Sequence, residues 1–179
     1  MDYIDTWKSV MQSPSEFYRK MPKTGGYADP IIFAAINFVV FGLMTALFNR
    51  GMYGGMYGGR EFSLFIVFGA VILAPISGVI SLFIEALILY VIFKVLGGSG
   101  TYEGTFRFIA YATAVLLLSW IPFIGWIVGF YGIYLYIVGG MYAHDVGMGR
   151  SIIAVLLPTV LVILLFILMG LFAFSQLFV

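Results

Sequence analysis

The sequence predicts an all-α integral membrane protein, a five-span helical bundle with an amphipathic cytoplasmic N-terminal segment. Two observations point to that class. Of the 179 residues, 63% are hydrophobic and only 9% are charged, where an ordinary soluble domain carries about 25% charged residues. Mean hydropathy is +1.09. A soluble core of this size cannot hide so much apolar surface, so lipid must solvate it. The apolar residues also fall in runs that reach the roughly 20 residues a membrane-crossing helix needs.

Residues 1–29 form the amphipathic interfacial segment. In its opening DYIDTWKSVM, Tyr3, Ile4, Trp7, Val10 and Met11 share one helical face. Ser13-Pro14-Ser15-Glu16 then reads as a second helix start, with Ser13 as cap, Pro14 at the first helical position and Glu16 completing a capping box. Phe17, Tyr18 and Met21 follow beside Arg19, Lys20 and Lys23. Such a segment suits an inner leaflet, where each cation near anionic lipid gains about 1 kcal/mol. Trp7, Lys8, Arg19, Lys20 and Lys23 are therefore candidate contacts for that leaflet or for a cytoplasmic protein partner.

The transmembrane bundle occupies residues 30–179, with spans at about 30–48, 62–96, 104–120, 123–143 and 151–174. The second run is too long. At about 1.5 Å per residue it would reach about 50 Å, against a hydrocarbon core of about 30 Å. Pro75 lies inside it and removes a backbone hydrogen bond. A helix kinked at Pro75 follows, with a separate short helix over 62–74 as the alternative. The turn LGGSGTYEGTF reads as flexible and leads to a helix start near Thr101, with Glu103 and Arg107 paired at i, i+4. Trp120, Pro122 and Trp126 in SWIPFIGW form an aromatic belt. The repeat GMYGGMYGG at 51–59 reads as a mobile outer loop; two methionines without a nearby histidine make only a thin Cu(I) pattern.

Basic residues set the orientation. Lys8, Arg19, Lys20, Lys23, Lys94, Arg107 and Arg150 fall on one side, and only Arg50 and Arg60 on the other. The N-terminus is therefore expected in the cytoplasm and the C-terminus outside. Asp2 and Asp5 stand where a signal peptide would carry basic residues.

Several chemistries are excluded. There is no cysteine, hence no disulfide and no thiolate metal site. His144 is the single histidine, so no H-E-x-x-H zinc site exists, and His144-Asp145 reads as a helix ending at the inner surface. No metal, no other cofactor and no catalytic nucleophile–base set is expected. The net charge of +1 argues against a nucleic-acid partner.

Helices in lipid associate through small residues. Gly125, Gly129, Gly132, Gly139, Gly140 and Ala143 fall within an arc of about 100° on the fourth span, with Gly125 and Gly129 as a GxxxG pair. Gly78 and Ser81 mark a similar stripe on the second. These stripes predict packing within the chain or in a homo-oligomer.

Glu85 lies on the Gly78–Ser81 face, near mid-membrane. A charge there costs several kcal/mol unless it is paired or neutralised, so an intramembrane acid is a functional hypothesis by default. Three readings stand open. Glu85 binds a proton or cation in a transport pathway, or clips helices by hydrogen bonding to Asn37, Thr113 or a tyrosine, or pairs with Arg107. Glu85, Asn37 and Arg107 form the predicted intramembrane polar site.

Three stretches carry a family resemblance: WKSVMQSPSEFYRKMPKTGGYADP, APISGVISLFIEALILYVIFKVLGGSGTYEGTFRFIAYA, and WIPFIGWIVGFYGIYLYIVGGMYAH followed by LLPTV. Together they resemble the Yip-one domain family, multi-pass membrane proteins named for interaction with Ypt/Rab GTPases. The resemblance implies a five-span bundle with a cytoplasmic N-terminus and, in eukaryotic relatives, roles in membrane trafficking. The chain departs from those relatives: the DLYGP signature is absent, and so is the long soluble N-terminal extension. It is closer to the compact prokaryotic branch, which implies a prokaryotic cell membrane and no Rab partner. The expected function is a non-enzymatic membrane scaffold or adaptor that contacts membrane lipids, self-associates and recruits partners through its cytoplasmic face. The alternative is a small transporter, channel or lipid-moving protein with Glu85 at its polar centre.

Overall fold

The computed structural model describes residues 2–48 and 68–175. Within them every regular element is helical. Two short helices, α1 (Tyr3–Gln12) and α2 (Pro14–Lys20), precede the long α3 (Ala28–Phe48). A π-helical turn (Gly69–Leu73) runs into α4 (Ala74–Val95). Then come α5 (Tyr102–Ala112), a 3-10 turn (Thr113–Val115) and α6 (Leu116–Ser119). Last among the described residues are α7 (Ile124–His144) and α8 (Met148–Ser175). The GMYGGMYGG repeat and the start of the second expected span lie outside the described residues.

Four helices among the described residues are long and apolar enough to cross a membrane: Ala28–Phe48, Val71–Val95, Ile124–His144 and Met148–Gly170. The expected span over 104–120 is instead broken into α5, the 3-10 turn and α6. The break has a local cause. The Thr113 hydroxyl donates to the Ala110 carbonyl at 2.6 Å, and such back-bonding competes with the regular ladder and bends helices. At Pro75 the ladder also yields. The ring blocks the bond to the carbonyl four residues back, and the turn before it widens so that the Ala74 N–H reaches the Gly69 carbonyl. The irregularity therefore sits in 69–73, one turn ahead of the proline, and the helix continues through it.

α5 is the centre of the molecule. Every residue from Gly104 to Ala114 is buried, with α4, α7 and α3 packed around it. Glycines on the surrounding helices act as sockets for aromatic rings. A Cβ at Gly139 would come within 2.8 Å of the Phe108 ring, one at Gly78 within 2.6 Å of Phe38, and one at Gly140 would overlap Phe93. Gly132 lies opposite Val115. The GxxxG pair does not act as a unit. Gly125 closes on the Ser119 carbonyl within its own hairpin, whereas Gly129 faces open space. Ser81 also leaves the packing stripe: it is exposed, and its hydroxyl bonds the Gly78 carbonyl at 2.7 Å.

The N-terminal segment corrects the interfacial expectation. Of the face predicted to meet lipid, Val10 is fully buried and Tyr3, Trp7 and Met11 pack against the core, leaving Ile4 exposed. The Trp7 indole donates to the Ala114 carbonyl at 2.9 Å, and Tyr131 on α7 donates to the Met11 carbonyl at 2.7 Å. Residue 29 is thus no boundary in packing: Val10, Tyr18 and Met21 share one core with α5. Ser13 caps α2 without a side-chain bond, and Glu16 pairs with Lys20 at 2.7 Å instead of completing a capping box.

Loops 21–27, 96–101 and 145–147 converge at one end. Thr101 donates to the Lys23 carbonyl at 3.3 Å, and the Ser99 N–H to the His144 carbonyl at 2.9 Å. The GGSG turn is packed where flexibility was expected, because Gly98 and Gly100 lie against His144 with no room for a Cβ. At the other end Phe48 stacks on Trp120 at 4.7 Å. The tight 120–124 connection there is a γ-turn: Phe123 has φ 64°, and the Ile124 N–H reaches the Pro122 carbonyl at 2.8 Å.

Candidate functional site

The three residues of the predicted polar site go to three different places. Asn37 is fully buried. Its carbonyl accepts from the Tyr3 hydroxyl at 2.6 Å, and its amide donates to the Thr113 hydroxyl at 3.0 Å. That chain ties α1, α3 and the 3-10 turn together.

Arg107 leaves α5 toward the 25–26 loop. Its Nη1 donates to the Gly26 carbonyl at 2.6 Å and stands 3.9 Å from Glu103, whose Oε1 accepts the Gly26 N–H at 2.6 Å. The i, i+4 pair therefore holds Gly26 by both its N–H and its carbonyl. Arg107 is not paired with Glu85: it is engaged by Gly26 and Glu103, and Glu85 lines a different cleft, beside α7 and α8.

Glu85 leaves α4 on the side of α7 and α8, where it lies across from Tyr136. The two line a cleft of about 520 Å³ with Ser81, Gly129, Gly132, Pro158 and Thr159. Of the partners open to Glu85, a tyrosine is the one that shares its cleft. Tyr136 was missed among the candidates, yet it had a signal. Eleven residues after Gly125, about three helical turns, it falls at the centre of the glycine arc.

The basic residues of the N-terminal segment also separate. Arg19 is exposed. Lys8 and Lys20 are exposed and border a polar cavity between α1, α2, α3 and α5. Lys23 bonds Asp145 at 2.6 Å. Trp7, as described, is committed to the Ala114 carbonyl rather than to a leaflet.

His144 is fully buried, where a surface helix end was expected. Its ring stacks on Phe93 at 4.3 Å and 8°, and its Nε2 lies 2.7 Å from the Thr105 hydroxyl. Asp145 beside it is exposed and adopts the left-handed conformation that closes α7. The Lys23 ammonium and then the Ser99 hydroxyl hold its carboxyl below the usual aspartate range. A depressed carboxylate stabilises the fold above its unfolded pKa, near pH 4, and that contribution is lost as pH falls through the folded value. At this exposure solvent screening leaves at most a few tenths of a kcal/mol. Asp145→Asn, which tolerates the left-handed backbone, is expected to flatten the small fall in melting temperature below about pH 4. An unchanged acid limb in the variant would remove the ion pair from that role.

The family model of the Yip1 domain matches residues 8–171. No curated protein and no solved structure matches the chain. The matched stretch runs from the seated N-terminal helices through α5 and the Glu85–Tyr136 cleft into α8, nearly the whole molecule, and the chain belongs to the Yip1 domain family.

Proposed function

We propose that this protein is a non-enzymatic membrane scaffold or adaptor that organises membrane and recruits partners through its cytoplasmic face. The observation that carries the reading is the seating of α1 and α2. Val10 and Tyr18 are buried in the bundle, which turns the N-terminal helices into a fixed platform that carries the exposed Lys8, Arg19 and Lys20. Membership of the Yip1 domain family fits a membrane role of this kind. The polar residues inside the bundle support it from the other direction. Asn37, Glu85 and Arg107 are separated, and Asn37 and Arg107 are locally bonded, whereas a transporter brings its polar groups together at a shared midplane site.

The same proposal counts α3, α4, the α5–α6 stretch, α7 and α8 as five crossings. The alternation of ends supports that count: the loops around Lys23, Ser99 and Asp145 meet at one end, while Phe48 and Trp120 meet at the other. Lys94 and Arg150 lie at the first end too, next to Ser99 and Gly97. By the positive-inside rule that end is cytoplasmic and the C-terminus is outside.

The second reading, lipid or ion movement, draws on the Glu85–Tyr136 cleft. Liposomes holding the purified chain separate the two. For a scaffold, ion flux and lipid scrambling stay at the level of empty liposomes, and native mass spectrometry resolves assemblies of more than one copy. Flux or scrambling that drops at least about tenfold in Glu85→Gln, as loss of an essential ionisable group would cause, places transport first.

A further inference from the structure

A cavity of about 600 Å³ lies between α1, α2, the start of α3 and α5. That is within the usual range for small-ligand sites. Arg107 lines it and is only 5% exposed. One guanidinium nitrogen is committed to the Gly26 carbonyl, but Nε has no hydrogen-bond partner among the described residues. A buried donor left unmatched is costly, and Arg107 is among the residues that line the cavity.

The rest of the wall specifies that partner. Lys8 adds an ammonium that forms no ion pair among the described residues, and Ser9 adds a hydroxyl. Lys20 is already matched by Glu16 at 2.7 Å. Asp29 contributes a carboxylate to the same wall. A planar guanidinium with a mobile ammonium and a hydroxyl is the donor set that phosphate oxygens take. The nearby carboxylate suits an amine carried on the same group.

We infer that this cavity binds a phosphate ester, with Arg107 and Lys8 as its cationic partners. The cavity lies at the end of the bundle that gathers the N-terminal helices and the basic loops, which on the orientation proposed above is the level of the inner-leaflet phosphates. The source is thus a lipid headgroup or a free phosphate compound. This inference is independent of the scaffold reading, and either can fail without the other.

The test uses the full chain in detergent and native mass spectrometry. The probes are dioctanoyl phosphatidylethanolamine and dioctanoyl phosphatidylglycerol, with dioctanoylglycerol as the phosphate-free control and inorganic phosphate as competitor. Both phospholipids are expected to be retained and the control lost, with Lys8→Ala weakening retention about tenfold, as one charge-assisted hydrogen bond would. Lys8 is exposed, so that variant keeps the fold. Arg107→Lys keeps the charge but loses the fork, and it is expected to weaken retention further; if it does not fold, the Lys8 result decides. Displacement of both lipids by inorganic phosphate supports the site with a free phosphate as its source, and resistance to it supports a lipid. Retention of dioctanoylglycerol equal to that of the phospholipids, or unchanged binding in Lys8→Ala, overturns the assignment.

Discussion

Gly140→Val is expected to leave no monodisperse folded protein in detergent, while Gly129→Val, eleven residues earlier on the same helix, behaves like the wild type. A Cβ at Gly140 overlaps the Phe93 ring and comes within 3.1 Å of the Ser151 hydroxyl. The ring has nowhere to go. Phe93 is fully buried, stacks on His144 at 4.3 Å and meets Phe108 edge-on at 6.3 Å. His144 is in turn fixed by Thr105. Overpacking a filled core costs about 1–3 kcal/mol where neighbours can shift, and here a three-ring stack would have to move, so the loss is placed at the top of that range or above. At Gly129 an added Cβ meets nothing within 4 Å. Size-exclusion profiles and thermal midpoints of the two variants side by side make the check. A Gly140→Val protein that melts with the wild type would mean that α7 can slide away from α4 and that the glycine is no socket.

That contrast shows what the sequence could and could not convey. The long apolar runs, the kink-prone Pro75 and the arc of small residues on α7 were all legible, because each rests on periodicity or length. The tyrosine that meets Glu85 was within reach too, since the same angular count places Tyr136 among the glycines. What a small-residue stripe does not encode is its partner. Gly139 and Gly140 receive rings from α5 and α4, and Gly129 receives nothing. Arg107 could not have been placed either. Its main partner is the carbonyl of Gly26, and a backbone atom has no signature in side-chain chemistry. The N-terminal face was read correctly as apolar on one side of a helix but assigned to lipid. Hydrophobic spacing is satisfied equally by an acyl chain and by Phe33, so the pattern cannot choose between them.

Tyr18→Ala tests that choice directly. Tyr18 is 2% exposed, although it belongs to a helix of seven residues outside every long apolar run. Its hydroxyl reaches the Phe108 carbonyl at 3.3 Å, and its ring meets Phe17 edge-on at 5.3 Å. Removing a buried aromatic ring costs about 3–5 kcal/mol, from lost transfer energy and the cavity left behind. Tyr18→Phe keeps the ring and gives up only the hydrogen bond, worth about 1 kcal/mol. The expected order of stability is therefore wild type, then Tyr18→Phe slightly below it, then Tyr18→Ala far below. In a background with Trp120 and Trp126 replaced by Phe, emission from Trp7 reports the seating of α1, because its indole is bonded to Ala114 inside the bundle. Tyr18→Ala is expected to shift that emission to the red at temperatures where the wild type is unchanged, since α1 packs on α2 and loses its support with it. An interfacial helix would respond otherwise. A ring lying in lipid can be shortened at little cost to the bundle, and Trp7 would report the same surroundings in both proteins. Equal melting of Tyr18→Ala and the wild type would return α1 and α2 to the membrane surface and take the fixed platform away from the scaffold reading.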